Sequence, residues 1–242
     1  MPNFKSGTIA AQPIFSSSST ALHALGEKKE GPDGRVFRYV LAGASALVVG
    51  NALQSPVQDV DHDAIAVRAT SAGATALLIT TGASGGALDV NEYEGGYAVI
   101  DTTPGLGYAY KIKDHLAIAA STDGTLNLFP EDAVQVALTT SSKVTLVSSP
   151  YRKVIQSPVT TATGMCVGGA VYPITAAEYG WAQCWGIGAA LIDGTPANGQ
   201  PVVNVAAAAG ALAVHSAELP TAAHMMVTGR DGKVLPVFWL IG

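Results

Sequence analysis

The sequence predicts an all-β protein: a short-stranded sandwich or barrel with two β regions and an extended N-terminal arm. Three observations carry this. Short runs rich in β-branched and aromatic residues recur along the chain. Gly, Pro, Asn and Asp clusters separate them about every eight to twelve residues. No helical period persists beyond about one turn. The 242 residues suffice for one large β domain or two small ones.

Taken in order, residues 1–31 read as an arm. Gly7-Thr8-Ile9-Ala10 is a poor strand pattern, a Ser run covers 16–19, and Glu27 to Glu30 is charged. Such an arm either stays unordered or orders against a neighbouring subunit. Gly31-Pro32-Asp33-Gly34 is a turn, because Pro presets φ and Gly tolerates φ > 0. It feeds a strand over 35–41 and a shorter one over 46–49. Strands are then expected at 64–67, 75–81, 97–101, 108–113, 115–120, 125–129, 134–139 and 143–148, with glycine- or proline-containing turns between them. Ser149-Pro150 through Ser157-Pro158 reads as a seam. The expected division is therefore an arm over 1–31, a β-rich domain over 32–155 and a second β-rich domain over 156–242.

The second region centres on 179–187, Tyr-Gly-Trp-Ala-Gln-Cys-Trp-Gly-Ile. A period of two points Trp181, Gln183 and Trp185 one way and Ala182, Cys184 and Gly186 the other. Further strands are expected at 169–174, 189–192, 202–205, 211–215, 225–228 and 233–241, with a hairpin turn at Gly229-Arg230-Asp231-Gly232. Pro236 makes part of the last strand an edge or a bulge. The ending Phe238-Trp239-Leu240-Ile241 is too apolar to be left in water. Burying each such side chain is worth about 1.5–3 kcal/mol. Trp181, Trp185, Phe238 and Trp239 are therefore the candidate packing and interface residues.

Composition excludes several functions. Only 13% of residues are charged against 48% hydrophobic. That is about half the usual charge of roughly 25%, so the expected surface is a mixture of Ser, Thr, Ala and Gly with area buried against other subunits. The net charge is −5 and no basic run exists, which argues against nucleic acid as a partner. No run reaches the roughly 18 apolar residues that span a bilayer, and the first residues lack a signal-peptide core. The expectation is a protein made in the cytoplasm, with no membrane partner.

The chemical signals are weak. Gly82-Ala83-Ser84-Gly85-Gly86 fits the nucleophile-elbow pattern, but no helix follows it, so it reads as a glycine loop and a hydrolase using Ser84 is a distant alternative. Asp59, Asp61, His62 and Asp63 form the densest acidic group. A polar turn explains them, with a weak cation site as the alternative. His23, His62, His115, His215 and His224 are scattered and read as satisfied side chains. Cys166 and Cys184 sit among small or apolar residues and read as buried free thiols. No catalytic residue, cofactor or resident metal is expected.

Two stretches carry a family likeness. The first is Gly34-Arg35-Val36-Phe37-Arg38-Tyr39-Val40-Leu41-Ala42-Gly43-Ala44-Ser45-Ala46-Leu47 with Gly50-Asn51-Ala52-Leu53-Gln54. The second is Tyr179-Gly180-Trp181-Ala182-Gln183-Cys184-Trp185-Gly186 with Ala189-Ala190-Leu191-Ile192-Asp193-Gly194. Both resemble virion structural proteins of tailed bacteriophages, most closely capsid decoration (cement) proteins. The second is also similar to lambda-type head decoration proteins, of which this chain is about twice the length. The resemblance implies a non-enzymatic homo-oligomer, often a trimer, that binds the major capsid protein on the outside of the virion. A tail, collar or fibre component is the alternative. On this reading Trp185→Ala weakens folding or assembly and no chemistry.

Overall fold

Turn residues spaced this closely leave room only for short strands. The computed structural model, which describes residues 12–215 and 219–241, holds sixteen of them among those residues. Three come first: β1 (Lys28–Glu30), β2 (Val36–Leu41) and β3 (Ala52–Gln54). Six follow: β4 (Ile65–Val67), β5 (Ala76–Thr80), β6 (Tyr97–Ile100), β7 (Ala109–His115), β8 (Asp123–Leu128) and β9 (Lys143–Val147). Seven complete the chain: β10 (Ile155–Gln156), β11 (Cys166–Ala170), β12 (Tyr179–Ile192), β13 (Pro201–Val203), β14 (Ala213–Val214), β15 (Ala223–Met225) and β16 (Lys233–Leu240). Helical structure among the described residues is confined to 3-10 turns at Val60–His62 and Pro130–Asp132. The protein is all-β, as expected.

Two compact units divide the chain, and they do not meet at 155. The smaller is Gln58–Ser149, and the described residues on either side of it form the larger. The smaller unit is thus an insertion. The larger is joined across it by pairing: β3 lies between β10 and β11, with Ile155 opposite Gln54 and Gly169 opposite Ala52. Turn chemistry marks where strands end but carries no information on which distant strands pair, so the boundary is invisible locally.

The smaller unit is a closed barrel in the order β4-β5-β8-β7-β6-β9. Its alternation is regular: Leu77 and Ile79 of β5 point inward and Leu78 outward. Ile100, Ile112, Leu126, Val144 and Leu146, all fully buried, join them in one core. Closure removes the free strand edges that would otherwise invite pairing with other chains. Two expected strands are single bridges instead, Leu88 with Ile118 and Thr70 with Leu138. In each case a buried apolar residue anchors a loop over the barrel and the chain bends away after one pair.

The larger unit is a ten-stranded sheet along the path β10-β3-β11-β12-β16-β15-β13-β14, with β1 and β2 attached through β2 to β12. The expected strand at 46–49 is reduced to one bridge, Leu47 with Ile174. Residues 1–11 of the expected arm lie outside the described residues. Residues from Gln12 onward pack onto this unit: Ile14 joins Phe37, Tyr39 and Trp181 in a buried cluster, and β1 pairs with β2. Pro236 lies in β16 opposite Ala189 of β12. Its carbonyl accepts from Met226 N–H, so its missing donor faces the side where β15 has just ended. The proline sits at a local edge, the place where it costs no ladder bond.

The two ends of the smaller unit are tied within it, since β4 pairs with β9 and the Gln58 carboxamide donates to Leu146 O at 2.8 Å. Residues 58–149 expressed alone are therefore expected to fold, with dispersed amide resonances and a cooperative thermal transition. A collapsed, undispersed spectrum would contradict the separation into units.

Candidate functional site

Strand β12 runs fourteen residues and is the longest among the described residues. The two expected strands at 179–187 and 189–192 are one. Its first half pairs with β2 (Trp181 opposite Tyr39) and its second with β16 (Ile187 opposite Phe238), and the register shifts between Gln183 and Trp185. Gly186 lies just beyond, at φ +87°, a conformation that costs a residue with Cβ but suits glycine.

The bulge corrects the expected facing of the tryptophans. A strict period of two would align Trp181, Gln183 and Trp185. Instead the alternation slips by one. A Cβ on Gly188 would lie 2.6 Å from Gln183 Oε1 and 2.9 Å from the Trp239 indole, so Gln183 and the even-numbered Gly188 share a side. Beyond the bulge Ala190 and Ile192 are buried, while Trp185, Ile187 and Ala189 turn outward.

The four candidate aromatics consequently have two roles. Trp181 and Trp239 are 1% exposed and are core. Trp181 Nε1–H donates to Gln12 O at 3.2 Å, and its ring meets Tyr39 edge-on at 5.0 Å between centroids. Tyr39 hydroxyl in turn donates to Gln12 Oε1 at 2.6 Å. Trp239 fills the space that Gly169 leaves open, where a Cβ would stand 2.3 Å from the ring. Trp185 is 39% exposed and rests edge-on against Phe238, with centroids 5.6 Å apart. Ile187 and Val234 extend this face at 54% and 53% exposure. The sequence reading missed these two aliphatics. Gly186 within an otherwise regular strand was the available signal, since an isolated strand glycine often marks a bulge.

Ser84 is exposed in a bend, no helix follows it among the described residues, and the nearby bridge at Leu88 returns the chain to the barrel. Asp59 caps the first 3-10 turn by accepting from Asp61 N–H at 3.0 Å. Asp63 accepts from the Gln58 carboxamide, and the Asp61 carboxylate occupies the space beside Gly85. No group of three or more metal-ligating side chains occurs among the described residues.

His62, Tyr93 and His115 form a buried cluster in the smaller unit. The Tyr93 hydroxyl lies 2.5 Å from His62 Nδ1, and Tyr93 N–H donates to His115 Nε2 at 3.0 Å. His115 Nδ1 lies 2.9 Å from Leu116 O, which makes Nδ1 the protonated nitrogen. His23 pairs with Glu27, and His224 lies 3.1 Å from Gly199 O. Cys166 and Cys184 are free thiols. Burial pushes Cys166 up to about 12, and burial likewise raises Cys184 against the opposing pull of Arg38. Burial raises Tyr93 as well, and the charges of Glu92, Asp59 and Asp63 add to it.

No protein-family model, curated protein or solved structure matches the chain.

The aromatic division predicts that Trp181→Ala destabilises the larger unit by about 3–5 kcal/mol. Trp185→Ala costs about 1 kcal/mol, the scale of one aromatic pair. Urea unfolding of both variants distinguishes them, and equal losses would contradict the assignment. A second prediction concerns alkali. The unfolded chain releases protons at the ordinary thiol and phenol values of 9.0 and 10.0, while folded Cys166 and Tyr93 retain theirs. The unfolded state then binds fewer protons, so stability is full below about pH 9 and falls as pH rises above it. Urea midpoints at pH 8 and pH 10.5 should show the decline, and Cys166→Ala should flatten it in the larger unit.

Proposed function

We propose that this protein is a virion structural protein of a tailed bacteriophage that binds the outer surface of the capsid as a decoration protein and stabilises the shell. The observation that carries the reading is the outward face of β12 and β16. Trp185, Phe238, Ile187 and Val234 stand together there, the first, third and fourth well exposed, on a strand whose other side is core. Contiguous aromatic and aliphatic exposure of this kind marks a surface that is covered in the working assembly, and Trp supplies interface hot spots more often than most residues. The low charge content agrees, because surfaces buried between subunits are depleted in charge. The sequence resemblance supplies the identity of the assembly.

In this function the protein does no chemistry. It binds the mature lattice in preference to looser forms, and that preference stabilises the shell by mass action. The partners are the major capsid protein and further copies of itself, in a homotrimer. A tail, collar or fibre component would use the same apolar face against a different neighbour. A hydrolase using Ser84 is the remaining alternative, and labelling of Ser84 by a fluorophosphonate probe would revive it.

Imaging of particles with and without the protein is expected to show its density on the capsid exterior. Density on the tail would move it to the second reading, and absence from purified virions would overturn both. Trp185→Ala is expected to keep its fold and lose at least tenfold in occupancy on particles.

A further inference from the structure

The pairing of β1 with β2 sets two like charges against each other. Lys28 is the ladder partner of Arg38, so the two side chains leave the same side of the sheet as direct cross-strand neighbours. Like charges in that position repel. On the other side of Arg38 stands Ala182 of β12, which offers no counter-charge. The Arg38 guanidinium has five N–H donors. Among the described residues its one hydrogen bond runs from Nη1 to Gly26 O at 3.1 Å, and its buried Nε has no partner. Lys28 Nζ lies 3.6 Å from Glu30, but both side chains of that pair are more than half exposed, where an ion pair contributes little.

Both cations line one cavity of about 260 Å3 in the larger unit. Val36, Trp185 and Ile241 give it apolar walls, Cys184 adds a thiol, and Glu30 is its one carboxylate against the two cations. Burial raises the Cys184 thiol above its ordinary value, against the opposing pull of Arg38 and Lys28. The sulfur therefore stays protonated near pH 7 and supplies no negative charge, and its hydrogen is directed to Val36 O at 3.5 Å. The volume is just under the roughly 300–1,000 Å3 of drug-sized sites, so the cavity suits a small molecule.

We propose that this cavity binds a small molecule through an oxyanion, a phosphate or a carboxylate, held between Lys28 and Arg38. An oxyanion is the group that turns the repulsion into attraction, because it accepts from both cations at once. The planar guanidinium fits phosphate and carboxylate geometry, and the ammonium adds a point charge beside it. The apolar walls select what the anion is attached to, a short aliphatic or aromatic group resting against Trp185 and Ile241. Binding makes and breaks no covalent bond. Trp185 also belongs to the outward face of β12, so the bound molecule lies at the edge of that face. The site stands independently of the virion reading, because the opposed charges and the cavity belong to the free protein.

Titration of the full-length protein with inorganic phosphate, and separately with benzoate, tests it at constant ionic strength. The readouts are the Arg38 Nε–H resonance and tryptophan fluorescence, with Trp185→Phe identifying the share of the signal that comes from the cavity wall. At least one of the two anions is expected to give saturable shifts in both readouts. Saturation by phosphate assigns the ligand to phosphate compounds, and saturation by benzoate alone assigns it to carboxylic acids. Lys28→Gln, at an exposed position that leaves the fold intact, and Arg38→Gln should each weaken binding at least fivefold. Lys233→Gln, an exposed lysine at the far end of β16 from Trp185, should leave it unchanged. No saturable response to either anion overturns the proposal. Binding that Lys28→Gln leaves intact, or that Lys233→Gln weakens equally, overturns it in favour of general surface charge.

Discussion

The slip in β12 between Gln183 and Trp185 is the constraint on which the larger unit depends. Before it, the strand is buried on both faces and its aromatic side packs with Phe37, Tyr39 and Ile14. After it, one face remains core, with Ala190, Ile192 and Trp239, and the other is open. The Gln183 carboxamide holds the transition in place by bonding two carbonyls of its own strand. A buried polar side chain is favourable only when its bonds are made, and here they are made to backbone that the departing β11 leaves without a ladder. One extra residue thus converts a strand that could only be core into one that is core at one end and surface at the other.

The smaller unit obeys a different constraint. Its six strands close on themselves, so its pairing needs are met without the rest of the chain. That is how it can be inserted in the sequence between β3 and β10: its own ends are tied by the β4–β9 pair, and in the larger unit β10 pairs directly with β3. Its buried polar cluster is equally self-contained. Tyr93 links His62 and His115, and His115 bonds nearby backbone through both ring nitrogens, while the buried Nε2 of His62 has no hydrogen-bond partner among the described residues.

Much of this was legible in the sequence. The strands at 35–41, 75–81, 97–101 and 143–148 lie within a residue or two of β2, β5, β6 and β9, because alternation and turn residues act over a few positions. Trp181 and Trp239 as packing residues followed from apolar size alone. The different fate of Trp185 did not, since the bulge arises from how β2, β11 and β16 compete for the same strand. Ile187 and Val234 escaped notice for the same reason: each looks like any aliphatic in a strand until the pairing determines which way it faces.

By itself the sequence determined the class of structure, the turns, the paucity of charge and the need to bury the Phe-Trp-Leu-Ile ending, all of which are properties of local composition and periodicity. Only the tertiary structure decided that 58–149 is an insertion closed into a barrel, that β12 changes faces midway, and that Trp185, Ile187 and Val234 face outward. Those outcomes depend on pairings between residues far apart in sequence, such as Ile65 with Val144, Gln54 with Ile155 and Trp181 with Tyr39. A local pattern states that a strand wants a partner, and the energy of the whole sheet selects which one.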